Sequence, residues 1–130
     1  MNPRAEGKVY PETRFVVADA QVDRFRAAVG GDANTRVPLT FVTTAEFASF
    51  PAIIGDPDLA LDFSRVVHAE QEYEFTRPLR VGESLVVRPR IAQARTKGGQ
   101  GFVTIETHLV DDDGSVVATA RATMLERGAS

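Results

Sequence analysis

VVHAEQEYEFT, residues 66–76, alternates with a period of two, and its reading decides the fold. By that period Val67, Ala69, Gln71, Tyr73 and Phe75 share one face; His68, Glu70, Glu72 and Glu74 share the other. One apolar face and one charged face describe a half-buried strand of an antiparallel sheet. Such a strand needs apolar cover on one side and paired strands beside it. The turn that follows is Arg77-Pro78-Leu79-Arg80-Val81-Gly82-Glu83.

Three more strands are expected downstream. Residues 84–94 set Leu85, Val87 and Ile91 against Arg88 and Arg90. Residues 100–110 set Val103, Ile105, Thr107 and Leu109 against Phe102, Thr104, Glu106 and His108. Residues 115–126 set Val116, Ala118, Ala120, Ala122 and Met124 against Val117, Thr119, Arg121 and Thr123. Lys97-Gly98-Gly99 and Asp111-Asp112-Asp113-Gly114 supply the turns between them. On the polar faces, Arg88, Arg90 and Arg121 are expected to lie opposite the three glutamates. Pairs of this kind, worth ~0.2–1 kcal/mol each, set register more than stability.

Upstream, residues 1–12 are polar and read as a loosely held lead-in. Residues 13–17, TRFVV, form a short strand. Asp19 is placed to cap a helix over 20–29 in which Val22, Phe25, Arg26 and Val29 recur at helical spacing. Gly30-Gly31 stops it. Residues 32–39 favour turns, and 55–63 form a loop. Between these lies a helix expected over 44–53, capped by Thr43 or Thr44 and weakened by Pro51. Phe41, Ala45, Phe47, Ala48, Phe50, Ile53 and Ile54 make it the most apolar helical segment, suited to lie against the sheet. The layout is α+β: a central helix wrapped by an antiparallel sheet of about five strands, one domain over 13–130.

Composition narrows the function. The chain has 130 residues, net charge -3 and no cysteine. There is no basic block to neutralise phosphates, so nucleic acid is not an expected partner. Disulfides and thiolate chemistry are excluded. Two histidines, His68 and His108, without HxxxH or HExxH spacing, do not suggest a catalytic metal. No run approaches the ~18 apolar residues of a membrane span, and residues 1–10 lack a signal-peptide core, so a cytoplasmic protein is expected.

Residues 67–83, VHAEQEYEFTRPLRVGE, resemble a segment of MaoC-like dehydratases, notably of their N-terminal, non-catalytic domains: H-x-(E/D)-Q-x-(Y/F)-x-(Y/F)-x-(R/K)-P-(L/V)-x-x-G-(D/E). FRAAVGGDAN at 25–34 is similar to that superfamily's F-x-x-x-(S/V)-G-D-x-N, and 102–125 resembles its closing hairpin. The resemblance implies a hotdog fold, its central helix enclosed by a curled antiparallel sheet, paired as a homodimer or with a catalytic hotdog subunit.

Active R-specific hydratases of this superfamily carry G-D-x-N-P-(I/L)-H, whose Asp and His activate water and deliver a proton. Here Gly31, Asp32, Ala33 and Asn34 match its start, but Thr35, Arg36 and Val37 replace Pro, Ile and His. Valine cannot carry a proton, so Asp32 and Asn34 are read as a remnant. His68 and His108, both expected on the glutamate face, are the histidines considered for the lost role, with His68 kept as the candidate. The implied function is the acyl-binding or scaffolding partner in an R-specific 3-hydroxyacyl-thioester dehydratase or enoyl-thioester hydratase. Its substrate would ride on CoA or acyl carrier protein, without metal or redox cofactor. A homodimeric acyl-CoA-binding protein, or a hotdog thioesterase using Asp32, is the alternative. Gln71, Phe41, Phe47, Leu59 and Leu61 are the candidate substrate contacts, with Phe50, Ile53 and Ile54 beside them in an acyl groove.

Overall fold

The structure is a computed structural model that describes residues 1–30 and 37–128. Five antiparallel strands make one sheet: β1 (Thr13–Val16), β2 (Val66–Phe75), β3 (Ser84–Lys97), β4 (Gln100–Val110) and β5 (Val116–Glu126). Their order is β1-β3-β4-β5-β2, so β1 and β2 are the edges. The curled face encloses α1 (Asp19–Val29), α2 (Val42–Phe47) and α3 (Phe50–Ile54). None of the described helices is long and apolar enough to cross a membrane.

The hairpin turns follow their chemistry. Gly98 and Gly99 sit at φ 59° and 77°, as a two-residue connection between right-twisted strands requires. In the next turn the Asp111 carboxylate accepts from the Asp113 and Ser115 amides, both at 3.0 Å. Along β3 and β4 the expected inward residues, Leu85, Val87, Ile91, Val103, Ile105 and Leu109, are all essentially buried.

Three bulges interrupt the alternation, at Ala69, Ala92 and Val117. Each adds one residue to its strand and switches the face on which later side chains fall. The third carries Val117 into the core and leaves Val116 exposed, reversing the expectation for that pair. The first governs the site described below.

The core has two lobes. One gathers Val17, Val22, Val37, Phe41, Val42 and Ala45 of the helical layer against Leu79, Leu85, Leu109 and Ala118. Phe25 meets Phe41 edge-on at 5.4 Å between ring centres. The other gathers Phe50, Ile53 and Leu59 against Ile91, Val103, Ile105, Ala122 and Met124.

Three local expectations are corrected. Asp19 is not the cap of α1: Ala18 is, and Asp19 lies in the first turn, where its charge suits the helix dipole. The single helix over 44–53 is two helices that meet near Ser49. Pro51 falls in the first turn of α3, where a missing N–H is tolerated. Thr43 does not cap its helix, since its hydroxyl donates back to the Thr40 carbonyl at 2.8 Å. The lead-in is strapped down rather than loose. Gly7 donates to Ile91, Tyr10 donates to Pro89, and Ala5 and Tyr10 join the second lobe. Lys8 and Tyr10 clasp Asp56, both at 2.7 Å, and hold its carboxyl down to about 2, Lys8 more than Tyr10.

Candidate functional site

α2 delivers one charged side chain to the interior. Val42, Ala45 and Glu46 stand at i, i+3 and i+4, one stripe of the helix, and all three are buried. Glu46 therefore faces the sheet with no exposed surface. Its carboxylate accepts from Gln71 Nε2 at 3.0 Å and from the Tyr73 hydroxyl at 2.8 Å. Burial pushes its pKa up. The two hydrogen bonds and the nearby His68 oppose that shift without cancelling it. Tyr73 is pushed up as well, by burial first and then by donating to the carboxylate.

The bulge at Ala69 brings His68 to the same place. Before it, Val66 and His68 point inward; after it, Gln71, Tyr73 and Phe75 do. His68 thus lies on the helix side, opposite Met124, with its ring centre 5.9 Å from that of Phe47. This corrects the expectation that His68 shares the glutamate face. A bulge leaves no trace in a two-residue period until the register is known. His108 does take the polar face, 3.3 Å from Glu106, so the two histidines lie on opposite sides of the sheet.

Beside this cluster opens a cleft of about 310 Å³, walled by Phe47, Phe50, Ile54, Phe63, Val66, His68 and Met124. Its lining is apolar apart from the imidazole. A pocket of that kind suits a ligand that is mostly hydrocarbon with one polar function.

The expected site residues divide accordingly. Gln71 and His68 meet around Glu46, and Phe47 and Phe50 line the cleft together with Ile54. Phe41, Ile53 and Leu59 are fully buried core residues. Leu61 packs half-buried against the second lobe. Asp32 and Asn34 lie outside the described residues. Val37, at the motif's histidine position, is buried with Val17, Val22 and Phe41.

The sequence reading passes over Glu46 because the helix expected over 44–53 is the most apolar helical segment of the chain. The signal in the sequence is a lone acid that shares a helical face with Val42 and Ala45.

The comparisons agree with this fold. The FAS1-like dehydratase domain region model matches residues 5–120, and the chain belongs to that family. A UPF0336 protein of Clavibacter michiganensis subsp. michiganensis is 32% identical over 144 residues, covering 98% of this chain and 97% of the relative. A second UPF0336 protein, from Streptomyces griseus, is 31% identical over 139 residues, 95% and 93% of the two chains. The HadBC (3R-hydroxyacyl-ACP dehydratase) complex of Mycobacterium tuberculosis superposes with a TM-score of 0.78 at 24% identity, over 93% of this chain and 96% of that one. A MaoC-like dehydratase reaches 0.82 at 20% identity, over 96% of this chain and 43% of that one. The fold is the hotdog of the MaoC-like dehydratases, as the sequence resemblance implied.

Proposed function

We propose that this chain is the acyl-binding subunit of an R-specific 3-hydroxyacyl-thioester dehydratase or enoyl-thioester hydratase, completed by a second hotdog chain that supplies the Asp and His. The observation that carries the reading is Val37. An aliphatic side chain stands where active relatives place an imidazole, and it is only 5% exposed, packed into the first core lobe. Adding water across a conjugated double bond needs a group to take and return a proton, and valine has none.

Glu46 supports the same division of labour. Both of its oxygens are engaged and neither reaches solvent, so it positions Gln71 and Tyr73 rather than activating water. The cleft beside His68 supports a role in holding an acyl chain, delivered on CoA or acyl carrier protein. The reaction so read uses no metal or redox cofactor.

The test is an assay of the chain alone, and mixed with a hotdog chain carrying an intact G-D-x-N-P-x-H, on crotonyl-CoA and longer enoyl thioesters. Turnover is expected in the mixture. Robust hydration by the chain alone would overturn the reading. Thioester hydrolysis by the chain alone that disappears in Asp32→Asn would replace it with a thioesterase.

A further inference from the structure

The outer face of β2 carries Glu70, Glu72 and Glu74 in a row, and β2 is the ten-residue edge of the sheet. Along its free side a row of backbone N–H and C=O groups awaits partners, the standard invitation to another strand. The opposite edge, β1, has only four residues. Apolar groups lie near the long edge: Phe63 is 62% exposed, Val67 44% and Phe47 41%. Exposed aromatic surface beside an unpaired strand marks a face that another chain covers.

The charge on this edge is unbalanced. Arg121 is the cation that the row meets, 3.5 Å from Glu72 and 3.5 Å from Glu74. It is held more closely by Glu106, at 2.9 Å. The expected partners Arg88 and Arg90 turn elsewhere, to Glu12 at 2.7 Å and to Glu106 at 2.8 Å. Among the described residues β2 pairs only with β5, which leaves both of them strands away from the row.

We propose that the β2 edge is built to pair with a strand of a different chain whose outward side chains are basic, and that the glutamate row is what rejects a second copy of this chain. The inference rests on the two-chain reading above and adds the chemistry of the partner. Side chains directly opposite one another in an antiparallel pair lie on the same face, with Cβ atoms about 5 Å apart. A two-fold pairing of β2 with its own copy therefore sets glutamate against glutamate. Centred on Glu72, it opposes residue 70 to 74, 72 to 72 and 74 to 70, three like-charge contacts. A Lys- or Arg-bearing strand reverses the sign of all three. Each such contact is worth roughly two- to fivefold in association.

The experiment uses the full chain and its charge-reversed variant E70K/E72K/E74K, so the natural partner need not be known. Dimerisation is followed by sedimentation velocity at about 0.05 M salt, where Debye screening reaches beyond 10 Å. The equimolar mixture is expected to associate at least ~tenfold more tightly than either protein alone, with the difference lost near 1 M salt. The neutral variant E70Q/E72Q/E74Q, which leaves Arg121 no added cation to face, should self-associate ~tenfold more tightly than the wild type at low salt. A wild-type homodimer as tight as the mixture, a mixture that stays monomeric, or a neutral variant indistinguishable from wild type would each overturn the proposal. No thioester enters this measurement. A charge effect as expected, combined with no turnover beside a catalytic partner, would sink the acyl-subunit reading alone.

Discussion

Glu46 and Glu106 are buried on opposite faces of the same sheet, by opposite means. Glu106 accepts from Arg90 at 2.8 Å and 3.0 Å and from Arg121 at 2.9 Å. Burial alone would raise its pKa, but the guanidinium groups outweigh it and hold the carboxyl below its ordinary range. Glu46 accepts from two neutral donors, Gln71 and Tyr73, with His68 nearby but no guanidinium among the described residues bound to it, and there burial wins. The outer carboxylate is a clamp that ties β3, β4 and β5 together. The inner one is held against its own electrostatics. A cavity filled for stability alone is better served by an apolar side chain. Disfavoured ionisation next to an apolar cleft is what sets Glu46 apart from Glu106.

The contrast can be sharpened first with a buried group that has no partner. Val37→His inserts an imidazole into the first lobe and is expected to cost about 2–4 kcal/mol in urea unfolding. A cost below about 1 kcal/mol would mean that the position opens to water. Next, Glu106→Leu leaves two guanidinium groups without their shared acceptor. The loss should be about 1–2 kcal/mol, moderated because Arg90 and Arg121 are themselves 45% and 32% exposed. Tyr73→Phe removes one donor from Glu46 and should cost about 1 kcal/mol at neutral pH. That cost should shrink in acid, where a protonated carboxyl needs the donor less.

Glu46→Gln tests the sign directly. A carboxyl whose pKa is raised in the folded state binds its proton more tightly there than in the unfolded chain. Stability from Glu46 is then fully present below its ordinary value of 4.5 and is lost as pH rises through the folded pKa. The stability gap between variant and wild type should move in the variant's favour as pH climbs from about 4 to about 8. A flat difference in thermal midpoints over that range would show that Glu46 is not held against its charge. The smallest expected effect is that of His68→Phe, within about 0.5 kcal/mol, because the ring lines the cleft yet stays exposed to solvent. Any change in the binding of a fatty acyl thioester would then report the cleft rather than the fold.

Much of the architecture is legible in the amino-acid sequence. The strands over 84–94, 100–110 and 115–126 follow from alternation, and the Gly98-Gly99 and Asp111–Gly114 turns from chemistry local to four residues. The misreadings have a common origin. Leu59 sits in a Gly/Asp/Pro loop that looks exposed, yet the chain folds it wholly into the second lobe. The polar lead-in hides Ala5 and Tyr10, whose burial depends on β3 being there to receive them. Part of the site is also legible: Gln71 is expected on the apolar face of its strand, and from there its amide donates to Glu46 at 3.0 Å.

Period, turn propensity and the missing imidazole at position 37 are properties of the chain taken a few residues at a time, and they hold whatever surrounds them. The bulge at Ala69 is different, because it exists only relative to the register of β5. It alone turns His68 from the glutamates toward the cleft. The burial of Glu46 likewise required α2 to be laid under β2, which brings together side chains 25 and 27 positions apart. Contacts of that range are settled by packing, which no local pattern encodes.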